Sequence, residues 1–180
     1  KNIIFSAKRY GIDALGAMAQ GLFCSLLIGT IVKTLGQQLN LPFLISVGGY
    51  ASAMSGAAMA IAIALSLKAD PLVVFTCAAV GQIANTSGGA GGPLAVLFIA
   101  IIAAEVGMLV SKKTKVVIFF PPFVTIFVGG LLSVLIAPYI GIGVGYISKF
   151  IGWAALQAPL VTGIVVSVVV GMVLTLPISS

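Results

Sequence analysis

The stretch LAVLFIAIIAAEVGMLV, residues 94–110, is apolar throughout except for one acidic side chain, Glu105. With its flanking residues it approaches the roughly 20 residues that an α-helix needs to cross the hydrocarbon core of a bilayer. A carboxylate at that depth is costly, and it normally faces the interior of a helix bundle or a watery cavity. The stretch therefore predicts a membrane-spanning helix that carries a buried acid.

A Gly-rich sequence, NTSGGAGGP at residues 85–93, directly precedes this helix. Unwound backbone at membrane depth persists only where it is buried in protein or lines a cavity. We predict that residues 85–93 are an unwound break between two apolar segments. A buried acid close to a broken membrane segment is typical of substrate pathways, so the pattern favours a transporter.

The composition excludes a soluble domain. Hydrophobic residues make up 61% of the 180 residues and charged residues only 7%, with a mean hydropathy of +1.28. A soluble domain carries about 25% charged residues. The chain has no histidine and three acidic residues, too few for a typical metal site or hydrolase. We therefore expect no metal, no cofactor and no catalytic chemistry in this chain. Its basic residues are scattered at helix ends, which indicates topology signals and contacts with membrane lipid rather than a nucleic-acid partner.

Five long uncharged runs and the breaks between and within them predict six membrane segments: residues 12–35, 43–67, 72–84, 93–111, 116–137 and 153–176. The third is short for a full crossing, and residues 138–150, rich in Gly and Tyr, are predicted to form a loop or interfacial segment. The second carries a ridge of small residues, Ser52, Gly56, Ala60 and Ala64, at a spacing that permits close helix packing. The predicted fold class is an all-α, polytopic transmembrane bundle that forms a single domain over residues 1–180.

The distribution of basic residues predicts the orientation of the bundle. If the N-terminus is cytoplasmic, seven basic residues lie in cytoplasmic loops and only Lys33 and Lys149 lie outside. Cytoplasmic loops of membrane proteins carry an excess of Lys and Arg, so we predict a cytoplasmic N-terminus. The same count favours a full crossing by the third segment, because Lys68 and Lys112 then share one face.

The candidate substrate-binding residues are Asn85, Thr86, Ser87, Gly88 and Gly89 in the break, together with Glu105. The first three offer an amide and two hydroxyls, and glycine permits conformations in which backbone groups point at a ligand. Neutral groups of this kind suit a sugar or another polar, uncharged solute, and carbonyls could equally hold a cation. Alternatively, the break is an extracellular turn, and Glu105 is a structural acid bonded to hydroxyls of a neighbouring helix.

Four sequence elements together resemble a known membrane family: RYGIDALGAMAQGLF at 9–23, NTSGGAGGP at 85–93, AE at 104–105 and TLPISS at 175–180. The family is the phosphotransferase-system EIIC-like family, in the branch of the perfringolysin-regulator-like proteins of Gram-positive bacteria. The resemblance implies a sugar permease of the bacterial plasma membrane that works with EIIA and EIIB proteins, and we expect a homodimer. Family members are longer, so we expect this chain to be the N-terminal half of a longer protein.

One departure from the family keeps other functions open. Better-known sugar EIIC domains use a Glu together with a His near the sugar, and this chain has no His. The chain is thus at most the membrane subunit of a sugar phosphotransferase system. The alternatives are a membrane sensor or regulator without transport, and an ion-coupled secondary transporter with Glu105 as its proton or sodium site.

Overall fold

The computed structural model of the chain describes residues 8–114, 118–157 and 159–175, and the regular elements in those ranges are all helical. The N-terminal helix, Lys8–Gln38, contains a π-helical turn (Lys8–Asp13), α1 (Ala14–Leu22), a second π-helical turn (Phe23–Leu27) and α2 (Ile28–Gln38). The remaining elements are α3 (Pro42–Ala53), α4 (Ser55–Ser66), α5 (Pro71–Gly88), a 3-10 turn (Gly89–Gly91), α6 (Gly92–Lys113), α7 (Phe120–Gln157) and α8 (Pro159–Thr175).

Three stretches of the described chain are long and apolar enough to cross a membrane: Lys8–Gln38, Pro71–Lys113 and Phe120–Trp153. The pair formed by α3 and α4 is bent by 46° and adds a fourth if it counts as one span. The prediction of an all-helical chain with membrane spans is confirmed, but the count of six is not supported. Uncharged runs continue through turns as well as helices, so the length of a run does not give the number of crossings in it.

The stretch Pro71–Lys113 folds back on itself, so that α5 and α6 are antiparallel. A Cβ built on Gly107, near the end of α6, would lie 2.7 Å from a methyl carbon of Val73, near the start of α5. At the same end, Ser111 Oγ donates a hydrogen bond of 2.5 Å to Asp70 Oδ2. Lys68 and Lys112 therefore share one end of the bundle, while a full membrane crossing by the third segment stays a prediction.

The predicted break at residues 85–93 is wrong for most of its length. Helix α5 continues to Gly88, α6 begins at Gly92, and only Gly89–Gly91 leave α-helical geometry. The Thr86 hydroxyl donates to the carbonyls of Gln82 and Ile83, at 2.9 and 3.0 Å. A hydroxyl that bonds to its own helix in this way needs no unwound backbone, so Asn85, Thr86 and Ser87 remain helical.

Residues 138–150 do not form the predicted loop. Helix α7 runs unbroken for 38 residues with Pro138 inside it, which corresponds to a length of about 57 Å. Glycine and proline are more frequent in membrane helices than in soluble ones, because the cost of unpaired backbone groups in lipid keeps the chain helical. Helix α7 passes the 3-10 turn at Gly141, where a Cβ built on Gly91 would lie 3.0 Å from the Ile140 carbonyl oxygen.

Small residues bring the helices into backbone contact. Gly21, Gly29 and Gly36 of the N-terminal helix each approach α3 or α4, and a Cβ built on Gly21 would lie 2.7 Å from the Ala58 carbonyl oxygen. Three of the four residues of the predicted ridge, Gly56, Ala60 and Ala64, lie on α4 and are buried. The ridge is confirmed as a packing surface, and the core that it faces lies between α4, α5, α6 and α7.

We expect Gly81→Val to destabilise the bundle by about 1–3 kcal/mol, the usual range for overpacking a close helix contact. A Cβ on Gly81 would collide with the Ala60 side chain and the Gly56 carbonyl. Gly49→Val is the matched control, because a Cβ on Gly49 meets nothing within 4 Å. Thermal unfolding of the detergent-purified protein measures the difference, and equal midpoints for the two variants would contradict the close α4–α5 contact.

Candidate functional site

A cluster of neutral polar groups lies where α3 meets α4. Met54 separates the two helices with φ −87° and ψ 11°, and the helix axis bends there. The carbonyl of Ala53, on the near side of the bend, accepts a hydrogen bond of 2.9 Å from Nε2 of Gln82 on α5. The bend thus offers a backbone acceptor to a side chain of the neighbouring helix.

Asn85 lies one turn after Gln82 and reaches the other side of the bend. Its Nδ2 donates to Oγ of Ser55, the first residue of α4, over 3.3 Å, and Ser55 is only 5% exposed. We call Ala53, Ser55, Gln82 and Asn85 the bend cluster. It joins the α3–α4 bend to the last turns of α5 without any charged group among its members.

One atom of the bend cluster is buried without a hydrogen-bond partner in the described part of the chain. This atom is Oε1 of Gln82. A buried polar atom left unpaired costs about 1–3 kcal/mol, so natural structures rarely keep one without a reason. Chemically, this oxygen can accept a hydrogen bond from a hydroxyl or an N–H group.

The predicted residues of the Gly-rich stretch occupy different surroundings. Asn85 belongs to the bend cluster, whereas the exposed Thr86 bonds to its own helix and Ser87 is half-buried. Gly88 is buried, with a Cβ position 3.1 Å from Ala95, and Gly89 forms the exposed turn with φ +50°. The glycines therefore fold the hairpin, and Asn85 is the predicted residue that contacts the bend.

Glu105 lies in a second polar cluster, which contains Arg9, Tyr10, Glu105 and the Leu67 carbonyl. Its Oε1 accepts a hydrogen bond of 2.8 Å from the Tyr10 hydroxyl and lies 3.0 Å from Nη2 of Arg9. The same Arg9 nitrogen donates to the Leu67 carbonyl at 2.9 Å. The side chains of Arg9 and Glu105 are 20% and 12% exposed, so this is a largely buried ion pair. We call it the Arg9–Glu105 cluster.

The structure does not bring Glu105 to the Gly-rich turn. Thirteen residues of α6 separate Gly92 from Glu105, which is about 20 Å at 1.5 Å per residue. Glu105 has the bonds expected of a structural acid held by a neighbouring helix, with Arg9 as an additional partner. Its other oxygen, Oε2, is buried and has no hydrogen-bond partner in the described ranges. A role in solute binding stays a prediction for this residue.

Sequence reasoning missed most of the bend cluster. The pattern around Gln82 suggests at most a polar group close to the glycines, and nothing marks Ala53 or Ser55 as its partners. Ser55 is not part of the predicted ridge, and Gly56 is assigned within it to close packing, so the bend at Met54 is not predicted. Only the three-dimensional contact between α5 and the bend identifies the cluster.

Comparison with known families shows to which protein family the chain with these two clusters belongs. A sequence model of the family described as "Phosphotransferase system, EIIC" matches residues 12–180, almost the whole chain. The chain belongs to this family. The match confirms the predicted family, while the branch stays a prediction. Comparisons with curated proteins and with solved structures gave no match.

EIIC is the membrane permease component of sugar phosphotransferase systems and works with EIIA and EIIB proteins. These 180 residues contain no histidine, so the hydrogen bonds that they make to a solute would come from other groups. The bend cluster supplies amides, a hydroxyl and a carbonyl, and the Arg9–Glu105 cluster supplies a carboxylate already engaged by two donors.

Proposed function

We propose that this EIIC chain is a permease subunit that moves a carbohydrate or similar polar solute across the bacterial plasma membrane. The proposed site lies at the end of α5, with Asn85, Thr86, Ser87, Gly88 and Gly89. The observation that carries the proposal is that Asn85 lies between two helix interruptions, the α3–α4 bend and the Gly89–Gly91 turn. Discontinuous membrane helices are a recurrent location of substrate sites in transporters.

We further propose that the end of the bundle containing the Arg9–Glu105 cluster is cytoplasmic. The described basic residues divide unequally between the two ends. Arg9 contacts the Leu67 carbonyl, and Ser111 contacts Asp70. One end therefore carries Lys8, Arg9, Lys68, Lys112 and Lys113, whereas Lys33 and Lys149 lie toward the other. An excess of Lys and Arg favours the cytoplasmic side.

Labelling of single cysteines checks this topology. We expect Ser111→Cys to react only from the cytoplasmic side and Gln38→Cys only from outside. Both are placed in a background without Cys24, which is exposed, and without the buried Cys77. A membrane-impermeant maleimide applied to intact cells and to inverted vesicles distinguishes the two faces. Reaction of both cysteines from the same face would contradict the proposed topology.

Uptake by proteoliposomes tests the proposed function. The full chain is reconstituted and offered radiolabelled sugars, with and without phosphoenolpyruvate, the general phosphotransferase proteins, EIIA and EIIB. We expect the sugar to accumulate in phosphorylated form only with the complete mixture. Binding without uptake would instead support a sensor, and uptake without phosphoenolpyruvate would support a transport-only protein.

An ion-coupled transporter is the second candidate, and one observation favours it. Glu105 Oε2 is a buried carboxylate oxygen with no hydrogen-bond partner among the described residues, and such an atom could receive a proton or a sodium ion. Uptake driven by an imposed proton or sodium gradient, without phosphoenolpyruvate, would support this candidate. Replacement by Gln removes the carboxylate, so Glu105→Gln should then abolish the dependence of uptake on that gradient.

A further inference from the structure

We propose that the bend cluster itself binds the solute, and that the solute is a neutral, polyhydroxylated molecule that donates a hydroxyl hydrogen bond to Oε1 of Gln82. This inference rests on the proposed function and moves the centre of the site from the glycine turn to the face of α5 that meets the α3–α4 bend.

The orientation of the Gln82 amide is fixed by its surroundings. The Ala53 carbonyl can only accept a hydrogen bond, so the amide nitrogen of Gln82 must face it, at 2.9 Å. The amide oxygen is thereby directed away from Ala53 and is buried without a partner in the described chain. Gln82 therefore presents a fixed acceptor, and a hydroxyl group supplies the donor that this acceptor requires.

The second amide of the cluster can exchange its present contact for a solute. The bond from Asn85 Nδ2 to Ser55 Oγ measures 3.3 Å, beyond the usual 2.7–3.2 Å range for N–H···O bonds. Such a long bond is weak. Both Asn85 and Ser55 can donate and accept, so together they complement the hydroxyl groups of a sugar or polyol.

Two close backbone approaches hold Asn85 in place. A Cβ on Gly56 would lie 2.6 Å from Cβ of Asn85, and a Cβ on Gly92 would lie 2.5 Å from its Oδ1. Asn85 is thus enclosed between α4 and the start of α6, and its side chain is positioned before any solute arrives. Prior positioning of this kind lowers the entropy cost of binding.

The charge of the cluster sets the class of solute. Its four members are neutral, and Glu105 is on the order of 20 Å away along α6. Moving a charged solute into a site without a compensating charge is costly. The bend cluster therefore favours neutral sugars and polyols over sugar acids, amino sugars and phosphorylated sugars.

Equilibrium dialysis of the purified full chain tests this inference. The probes are radiolabelled glucose, mannitol, N-acetylglucosamine and sucrose, with gluconate and glucosamine as charged counterparts. We expect at least one neutral probe to bind, the charged counterparts to bind at least tenfold more weakly, and Gln82→Leu to weaken binding of the neutral probe about tenfold. Gln20→Leu is the matched control, since Gln20 is exposed on α1, and it should leave the affinity unchanged.

The results distinguish failure of the inference alone from failure of the proposed function on which it rests. If the wild-type chain binds none of the neutral probes, the proposed function and the inference both fail. If it binds one but Gln82→Leu keeps the wild-type affinity, or a charged probe binds more tightly, only the inference fails. Should Gln82→Leu not fold, Ser55→Ala replaces it, and a loss of affinity of less than twofold would overturn the inference.

Discussion

Replacing Arg9 with Ala is expected to destabilise the bundle by about 3–5 kcal/mol, the range measured when one partner of a buried ion pair is removed. The Glu105 side chain is only 12% exposed, and it would keep the Tyr10 hydroxyl but lose its cation. The Leu67 carbonyl would lose the Arg9 donor as well. The midpoint of thermal unfolding in detergent, measured at one fixed pH, should fall accordingly.

Removing the charge of Glu105 as well distinguishes loss of the ion pair from simple loss of the packing of Arg9. The double variant Arg9→Ala with Glu105→Gln no longer buries an uncompensated carboxylate, so it should be more stable than Arg9→Ala alone. Lys8→Ala is the matched control. It removes an exposed cation next to Arg9 and should change stability by less than about 0.5 kcal/mol. A double variant no more stable than Arg9→Ala would refute the ion-pair explanation.

Replacing Gly89 with Ala or Val is expected to abolish uptake while membrane insertion remains intact. Gly89 has φ +50° and ψ −120°, a conformation that matches the first central residue of a type II′ turn and that side chains exclude. Adopting it with a Cβ costs about 1–3 kcal/mol. The hairpin would then fail to hold Gly92 against Asn85, where the two are now in close contact.

An asparagine variant makes this prediction sharper. Asparagine tolerates left-handed helical conformations, in which ψ is positive, but not the negative ψ of Gly89. We therefore expect Gly89→Asn to be as defective as Gly89→Ala. Gly130→Ala is the control, since a Cβ there meets nothing within 4 Å and the residue lies inside α7. Uptake normalised to the amount of inserted protein measures the effect, and normal uptake by Gly89→Asn would show that the turn geometry is dispensable.

The structure also separates two residues that the sequence cannot distinguish. Gly88 and Gly89 are equivalent candidates in the sequence, and a need for positive φ could be assigned to either. In the structure Gly88 has φ −80° and ψ −12°, so only Gly89 requires a glycine for its backbone conformation. A larger residue at Gly88 would instead act through its 3.1 Å contact with Ala95.

Hydropathy predicts the helical class, the membrane character and the depth of Glu105, because these depend on composition and on apolar length alone. The two wrong predictions of local structure, at residues 85–88 and 138–150, share one physical cause. Glycine, serine, threonine and asparagine disfavour helix in water, where the unwound backbone can bond to solvent. In a bilayer that alternative is absent, so α5 and α7 continue through these residues.

The candidate site was predictable only in part. Asn85 belongs to a conspicuous polar and Gly-rich sequence, and the structure places it in the bend cluster. The two amide side chains of the cluster have partners about 30 residues earlier in the chain, since Gln82 bonds to Ala53 and Asn85 bonds to Ser55. Contacts at that separation depend on the bend at Met54. Ser55 and Gly56 follow it, and such a pair occurs at helix kinks, but small residues at this spacing also suit close helix packing, so the sequence alone does not distinguish the two. The partners of Glu105 are equally remote, because Tyr10 is 95 residues away.

The distance in sequence between Tyr10 and Glu105 also sets the order in which the bundle is completed during synthesis. A ribosome adds about 5–20 residues per second, so Glu105 emerges roughly 5–20 seconds after Tyr10. During that interval the first helical turn can dock against α4 but has no carboxylate to bind. The start of the N-terminal helix is thus synthesised early but gains its contact with Glu105 late. A nascent chain that stalls before Glu105 lacks the contact that joins α6 to the N-terminal helix at this end of the bundle.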